Sequence, residues 1–445
     1  RRSVLRKSWP PFGRDASDPP SRFSPVGALC AITRLRQLTR GASCFRADSA
    51  NRDRLRRPGG ARRVRRNCDR RGRLGRERFF QTVSCPLQLS FTLYRIIQAA
   101  QPSGLFSMLN TSLCDLLGVR LPIIQAPIGS ASCPALVAAV SNAGGLGMLA
   151  VTWRSIDETR QAIRETKQRT DRPFGVNIVL EWPQKERLEV CLEEGAEVVS
   201  LFWGEPAELT SLAHDAGALV MNTVSSAAEA EAAAAAGADV LVAQGWEAGG
   251  HVPGEVSTLA LTPRVVDVAD GVPVVAAGGI ADGRGVAAAL ALGASGAMLG
   301  TRFLTSAEAS VHAEYKQRVV GASETDTAHG VIFDGGWPDA PHRVLRNRTV
   351  KEWEEAGCPT SGSRPGEGEV VATGANGTPV RRYDDAIPTL DVEGNAEDLA
   401  LYAGQSSGLV RDVMPAKEIV KELASEAEEA LHRTSTLGSQ EKDAL

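Results

Sequence analysis

The sequence predicts an α/β protein: a (β/α)8 TIM barrel with a C-terminal loop-rich and helical appendage. Three observations carry that prediction. Short apolar runs alternate with longer amphipathic ones, eight times over, between residues 122 and 320. The apolar runs are continuous, as parallel strands buried on both faces require. Helical stretches end repeatedly in glycine (Gly195, Gly217, Gly237, Gly293) just before the next apolar run, where glycine supplies a left-handed cap. An open doubly wound sheet would use fewer strands and one glycine-rich first turn.

Taken in order, the strands are expected at 122–127, 146–150, 174–180, 197–203, 219–224, 240–244, 272–278 and 297–301. The helices that follow them are expected at 134–142, 155–169, 183–194, 206–216, 226–236, 263–269, 284–292 and 307–320. Ser155 with Glu158 fits a capping box, in which hydroxyl and carboxylate satisfy free amides at a helix start. The Ala/Glu-rich stretch 226–236 reads as a plain helix, since alanine is the best helix former. Alternation is lost over 323–390, which is rich in Gly, Pro, Thr and Asp and reads as loops and a small lobe over the barrel mouth. Helical pattern returns over 398–431.

The 445 residues carry a net charge of −3, which hides two unlike parts. Residues 1–107 hold 24 Lys+Arg against 6 Asp+Glu, and the remainder holds 26 against 47. The basic stretch has three readings: a nucleic-acid-binding arm, a transit peptide, or upstream sequence outside the native protein. The third is preferred, because the first methionine is Met108 and the barrel pattern starts directly after it. The expected organisation is thus an Arg-rich, disordered or non-native extension over 1–107, a barrel over 108–322, and a small lobe with C-terminal helices over 323–445. The acidic part suits either high salt or an ordinary acidic protein, and it argues against nucleic acid as a partner. Cys114, Cys133, Cys191 and Cys358 are scattered without a C-x-x-C pair, so neither a metal site nor a disulfide framework is expected and a reducing cytoplasm is. No apolar run reaches the length of a membrane span. The sequence does not specify an oligomeric state.

Barrel enzymes work at the carboxyl ends of their strands, with phosphate groups held after strands seven and eight. Gly278, Gly279, Gly300 and Thr301 occupy those positions and could aim backbone amides and a hydroxyl into an anion site. Asn177 interrupts an apolar strand, and Gln244 ends the sixth. Each is either a ligand contact or a core amide bonded to neighbouring backbone. His251 follows Gly249 and Gly250 just beyond the sixth strand and is the candidate base. Glu247 could orient His251 or cap a turn. The remaining histidines are assigned no role. A nucleophile elbow, a Walker loop and an H-E-x-x-H pair are all missing, which leaves covalent and metal-assisted hydrolysis poorly supported.

Several segments carry a family resemblance: Leu121-Pro-Ile-Ile-Gln-Ala-Pro127, Asn142-Ala-Gly-Gly-Leu-Gly147, Phe174-Gly-Val-Asn177, Gln244-Gly-Trp-Glu-Ala-Gly-Gly-His251, Ala276-Ala-Gly-Gly-Ile-Ala-Asp-Gly-Arg284 and Gly300-Thr-Arg-Phe303, with Tyr402-Ala-Gly-Gln405 near the end. The chain resembles the nitronate monooxygenases (2-nitropropane dioxygenases), which are FMN-containing TIM-barrel proteins. The resemblance implies that Asn177, Gln244, Gly249, Gly250, Gly278, Gly279, Met298, Leu299, Gly300 and Thr301 contact FMN. It implies that Ala126 and Pro127 pack beside the flavin ring and that His251 faces the substrate. The implied reaction is oxidation of an alkyl nitronate or nitroalkane by O2 to a carbonyl compound and nitrite. The alternative is an NAD(P)H-dependent flavin reductase of the enoyl-acyl-carrier-protein reductase or quinone reductase type. A barrel that binds a nucleotide phosphate without turnover is the non-enzymatic reading.

Overall fold

The structure is a computed structural model that describes residues 107–437. The Arg-rich extension expected over 1–107 lies, apart from Ser107, outside the described residues.

Eight parallel strands form the barrel: β1 (Ile123–Gln125), β2 (Gly147–Ala150), β3 (Phe174–Val179), β4 (Val198–Phe202), β5 (Leu219–Val224), β6 (Val240–Gln244), β7 (Val274–Ala277) and β8 (Gly296–Leu299). Their order is β1-β8-β7-β6-β5-β4-β3-β2, and a parallel bridge between Ile124 and Leu146 joins the two ends. The strands are buried along nearly their whole length, which explains why the apolar runs were continuous.

Inward-facing Ile124, Met148, Val198, Met221, Val240, Val242 and Val275 pack with Leu113 and Leu117 of α1 (Ser112–Leu117). This closes the amino-terminal end of the barrel and leaves the carboxyl end for ligands. Outside the barrel run α2 (Pro134–Ala143), α3 (Ile156–Arg169), α4 (Lys185–Glu193), α5 (Ala207–Asp215), α6 (Ala227–Ala235), α7 (Thr258–Val268), α8 (Gly283–Ala291), the short α9 (Thr301–Leu304), α10 (Ala313–Val320), α11 (Arg348–Glu355) and α12 (Ala416–Leu437). Both arms of the Ser155–Glu158 capping box are made: the Glu158 amide donates to Ser155 Oγ at 3.2 Å, and the Ser155 amide to Glu158 Oε2 at 2.7 Å. The four helix-ending glycines all have positive φ, from 75° to 93°.

Three expected elements are corrected. The helix after β6 begins at Thr258 rather than 263, with Pro263 inside it. The carbonyl that Pro263 leaves unbonded belongs to the exposed Leu259, where water can replace the missing amide. The helix expected over 307–320 starts only at Ala313, because Ala307 donates its amide to Met414 O at 2.9 Å and the chain there runs beside the C-terminal segment. The helix expected over 398–431 is instead α12, preceded by an irregular strap over 399–415. That strap crosses the barrel mouth before Pro415 and Ala416 start the helix.

Two small antiparallel sheets lie in the appendage. One orders Thr327–Gly330, His342–Leu345 and Gly250–His251, and the other orders Pro379–Arg381, Val370–Thr373 and Glu393–Gly394. Among the described residues no helix is long and apolar enough to cross a membrane. Replacing Ser155 with Ala should cost about 1 kcal/mol by loss of the cap, measured as a shift in the urea unfolding midpoint without a change in slope.

Candidate active site

A cavity of about 410 Å³ opens at the carboxyl ends of the strands. Gly278 and Gly279 leave β7 with φ of 100° and 70°, a conformation that a side chain would strain. Among the described residues their amides and that of Gly300 have no backbone acceptor, so they are free for a ligand. A Cβ at Gly300 would sit 3.4 Å from Ile128 Cγ2 and 3.6 Å from Ala126 Cβ, so glycine keeps this corner open. Thr301 Oγ1 accepts the Gly404 amide at 3.0 Å, which leaves its own hydrogen to donate.

Asn177 and Ser200 are register partners on β3 and β4. Asn177 Nδ2 donates to Ser200 O at 3.2 Å and Oγ at 3.3 Å; the residue lines the cavity, and its Oδ1 accepts no hydrogen bond among the described residues. Gln244 Nε2 donates to His251 O at 3.2 Å, whereas Gln244 Oε1 is buried without a partner. Asn177 and Gln244 therefore each spend their amide NH2 on the protein and keep an acceptor.

Ala126, Pro127, Asn177, Gln244, Gly249, Gly250, His251, Gly278, Gly279, Met298, Gly300 and Thr301 all line this cavity. Leu299 does not. Successive strand residues point to opposite faces, so with Met298 facing inward, Leu299 packs outward against Phe303 and Leu423 in the layer between barrel and helices. Gly249 is held to glycine by the chain itself. A Cβ there would lie 2.4 Å from Gly404 N, so the close approach is to the protein's own chain.

His251 is held by strand pairing. Gly250 and His251 form an edge strand against Arg343 and His342. The imidazole stacks on Trp337 at 4.1 Å between ring centres and lies 5.5 Å from the Tyr402 ring. Its Nε2 is buried without a partner. Burial, with a smaller contribution from neighbouring His342, pushes its pKa down to about 3. The side chain is therefore neutral at working pH, a polar contact more than a strong base. Glu247 turns out to cap a helix: its carboxylate accepts the Thr258 amide at 2.9 Å and the Thr258 hydroxyl at 3.2 Å.

Residues without an assigned sequence role complete the site. His342 is fully buried. Its Nδ1 donates to Ala340 O at 2.9 Å, and its Nε2 accepts the amides of Phe333 and Ile332 at 3.0 and 3.3 Å. Arg343 donates to Trp246 O at 3.0 Å and lies 4.2 Å over the Trp246 ring, pinning the loop that carries His251. Trp337, Trp153, Tyr402 and Asp385 also line the cavity. Trp153, half exposed, stands 6.2 Å from Trp182 and from Trp337 and makes the rim aromatic. Only the Tyr402-Ala-Gly-Gln405 segment carried a signal for any of these. Among the described residues no Lys or Arg lines the cavity, and no cluster of His, Cys, Asp or Glu could hold a metal ion.

The sequence profile of the family described as Nitronate monooxygenase matches residues 110–186 and 181–426. The chain is 34% identical over 362 residues to the (3aS,4S,5R,7aS)-5-hydroxy-7a-methyl-1-oxo-octahydro-1H-indene-4-carboxyl-CoA dehydrogenase of Mycobacterium tuberculosis, covering 74% of this chain and 99% of that protein. It is 35% identical over 360 residues to a Nitronate monooxygenase of Pseudomonas aeruginosa, covering 70% and 97%. Among solved structures, FabK from Thermotoga maritima aligns with a TM-score of 0.64 at 36% identity, covering 74% of this chain and 99% of that one.

The histidine pair makes stability depend on pH. Burial depresses His251 to about 3 and His342 to about 4, against about 6.5 for a free imidazole. As pH falls the unfolded chain takes up protons first. The stability contributed by these groups is therefore complete above about pH 6.5 and is lost as pH falls toward their folded values. The thermal midpoint should be level from pH 8 to 7 and fall from 7 to 5. That fall should be shallower in a His342→Gln variant, as scanning calorimetry can measure.

Proposed function

Because the chain belongs to the nitronate monooxygenase family and is an oxidoreductase enzyme of it, we propose that it oxidises alkyl nitronates with O2, using FMN held in the barrel-mouth cavity. The family is flavin-dependent, and FMN is the flavin assigned in this reading.

The carrying observation is a pair of unmet demands in one cavity. Gly278, Gly279 and Gly300, whose amides have no backbone acceptor among the described residues, line the cavity, and so does Gln244, whose Oε1 is buried without a partner. Buried polar groups are normally bonded, and a phosphorylated ribityl chain ending in a ring with N–H donors would satisfy both. The phosphate would lie on Gly278, Gly279, Gly300 and Thr301, with neutral donors alone. The ring would lie against Ala126 and Pro127, over Met298, with its polar edge toward Asn177 and Gln244. When bound, FMN would supply the redox chemistry, taking electrons from the substrate and delivering them to O2.

The protein's own contribution is placement and charge. His251 lines the cavity as a neutral group, its Nε2 buried without a partner, fixed by strand pairing and by stacking on Trp337. As the Nε2–H tautomer it would donate to a nitronate oxygen without reorganisation, in a site where burial strengthens the bond. Trp337, Tyr402 and Phe202 keep water from that side.

A second reading is NAD(P)H-dependent flavin reduction of the enoyl-thioester or quinone type. One observation favours it: the rim at Trp153 and Phe202 offers apolar ring faces to a nicotinamide or quinone ring. An absorption spectrum of the purified protein separates the readings. Flavin bands that bleach on anaerobic addition of a nitronate, and not of NADPH, support the first; the reverse supports the second; a colourless protein that binds no added FMN rejects both. His251→Phe should raise KM for preformed nitronate by about 10-fold or more, the cost of one lost hydrogen bond to a charged group, measured by steady-state kinetics with flavin content unchanged.

A further inference from the structure

Four tryptophans meet at one side of the cavity mouth. Trp153 and Trp182 follow β2 and β3 by three residues each, and Trp203 follows β4 directly. Three adjacent strands thus each release one indole at the carboxyl end of the barrel. Trp337 of the appendage meets all three: its ring centre lies 6.2 Å from that of Trp153, 5.4 Å from Trp182 and 4.8 Å from Trp203. The contacts are tilted or edge-on, as aromatic quadrupoles prefer.

Core packing does not account for this wall. Trp337 is 1% exposed, but Trp153 is 50% exposed, and Trp182 and Trp203 are only partly buried. Trp203 is also held at φ of 64°, a left-handed backbone that a bulky residue adopts only under strain. Gly204 follows with φ of 65°, and a Cβ there would lie 2.8 Å from Leu180 Cβ. The turn is therefore pressed against the exit of β3. Strain that leaves an indole partly exposed beside a cavity points to a task outside the core.

The wall stands apart from the anion-binding end. Gly278, Gly279 and Gly300 follow β7 and β8, which lie four strands round the closed barrel from β3 and β4. A phosphate held there leaves the tryptophan side to the other reactant. That reactant meets no cation on the cavity wall, since no Lys or Arg lines it among the described residues. Arg154, beside Trp153, is spent on the backbone, donating to Ala150 O at 3.1 Å and to Ser132 O at 3.0 Å. Exposed Glu181, Glu205 and Asp339 each lie within two residues of a wall tryptophan.

We propose that this tryptophan wall is the specificity site of the cavity, and that it selects nitronates carrying an uncharged planar ring. The inference rests on the nitronate reading above, under which the ring that meets Trp153 belongs to the substrate. The reacting carbon would lie on the side of His251, whose imidazole is stacked on Trp337 at 4.1 Å. The non-reacting ring would cover the exposed surface of Trp153, and both surfaces would lose water. A carboxylate in the same place would give up hydration without gaining a paired cation. Trp182 and Trp203 do not line the cavity; they brace the two tryptophans that do.

The test is a matched series of preformed nitronates, those of nitroethane, 1-nitro-2-phenylethane and 3-nitropropanoate, turned over by the protein as purified. They differ only in the group next to the shared nitroethyl unit: hydrogen, phenyl or carboxylate. The kcat/KM should be at least about tenfold higher for phenyl than for hydrogen, the effect of burying one ring, and no higher for carboxylate than for hydrogen. Trp153→Ala should remove most of the phenyl preference, and Trp153→Phe should keep most of it; should the alanine variant not fold, Trp153→Gln is read by the same ratio. Titration calorimetry with 2-naphthylmethanol and 2-naphthoate reads the wall without turnover. The alcohol should bind more tightly than the anion, and its affinity should fall about tenfold in Trp153→Ala. A wild-type phenyl preference near one, a preference that survives in Trp153→Ala, a preference for carboxylate, or no binding of the alcohol overturns the assignment and leaves the nitronate reaction standing. Failure of the wild type to oxidise any nitronate overturns that reaction instead, while the naphthyl pair still reports on the wall.

Discussion

The site depends on one close contact between two stretches of backbone. Residues 247–249, after β6, lie against 403–405 of the C-terminal strap so tightly that neither side admits a side chain. A Cβ at Gly249 would fall 2.4 Å from Gly404 N, and one at Gly404 would fall 2.7 Å from Glu247 O. The Gln405 amide donates to Glu247 O at 3.0 Å, and the Gly404 amide to Thr301 Oγ1 at 3.0 Å. The strap thereby ties the exit of β6 to the exit of β8. It also delivers Tyr402 to the cavity, where the Tyr315 hydroxyl donates to Tyr402 O at 2.6 Å. Widening this contact by one methyl group would move the wall that His251 faces.

That contact divides the site by source. The barrel contributes mostly backbone and small amides: Gly278, Gly279, Gly300, Asn177 and Gln244. The appendage contributes large and ionisable side chains: Trp337, Asp385 and Tyr402, with His342 behind them. His251 belongs to both, since its loop leaves β6 and then pairs as a strand with the appendage. A glycine cradle cannot be retuned by side-chain exchange, whereas the opposite wall can. Substitutions between 337 and 402 would thus alter the side-chain wall and leave the backbone amides of the barrel in place.

The barrel was legible in the sequence because its signal is local. Continuous apolar strands, Ser155 with Glu158 and the helix-ending glycines each act within a few residues. The glycine and amide positions at the strand ends were legible for the same reason. The outward turn of the Leu299 side chain follows because consecutive residues of a strand cannot all face one side. The appendage was opaque because it obeys distant partners. Helical pattern over 398–431 reads as C-terminal helices, yet Gly404 must stay extended so that its amide reaches Thr301 and that of Gln405 reaches Glu247. Asp385 sits in a stretch without periodicity, and nothing nearby in sequence announces Gly336 or Trp337 as its neighbours. Glu247 had two readings until the Thr258 amide settled it as a cap.

The electrostatics follow from that architecture. A wall made of Trp337, Tyr402 and Phe202 excludes water, and exclusion acts in opposite directions on an acid and an imidazole. It removes proton affinity from His251 and adds it to Asp385. One apolar environment therefore separates two groups that would titrate within a few pH units of each other in water and inverts their order. The imidazole, the stronger base in solution, becomes a neutral hydrogen-bonding group. Residue type alone carries the solution order and not the effect of burial.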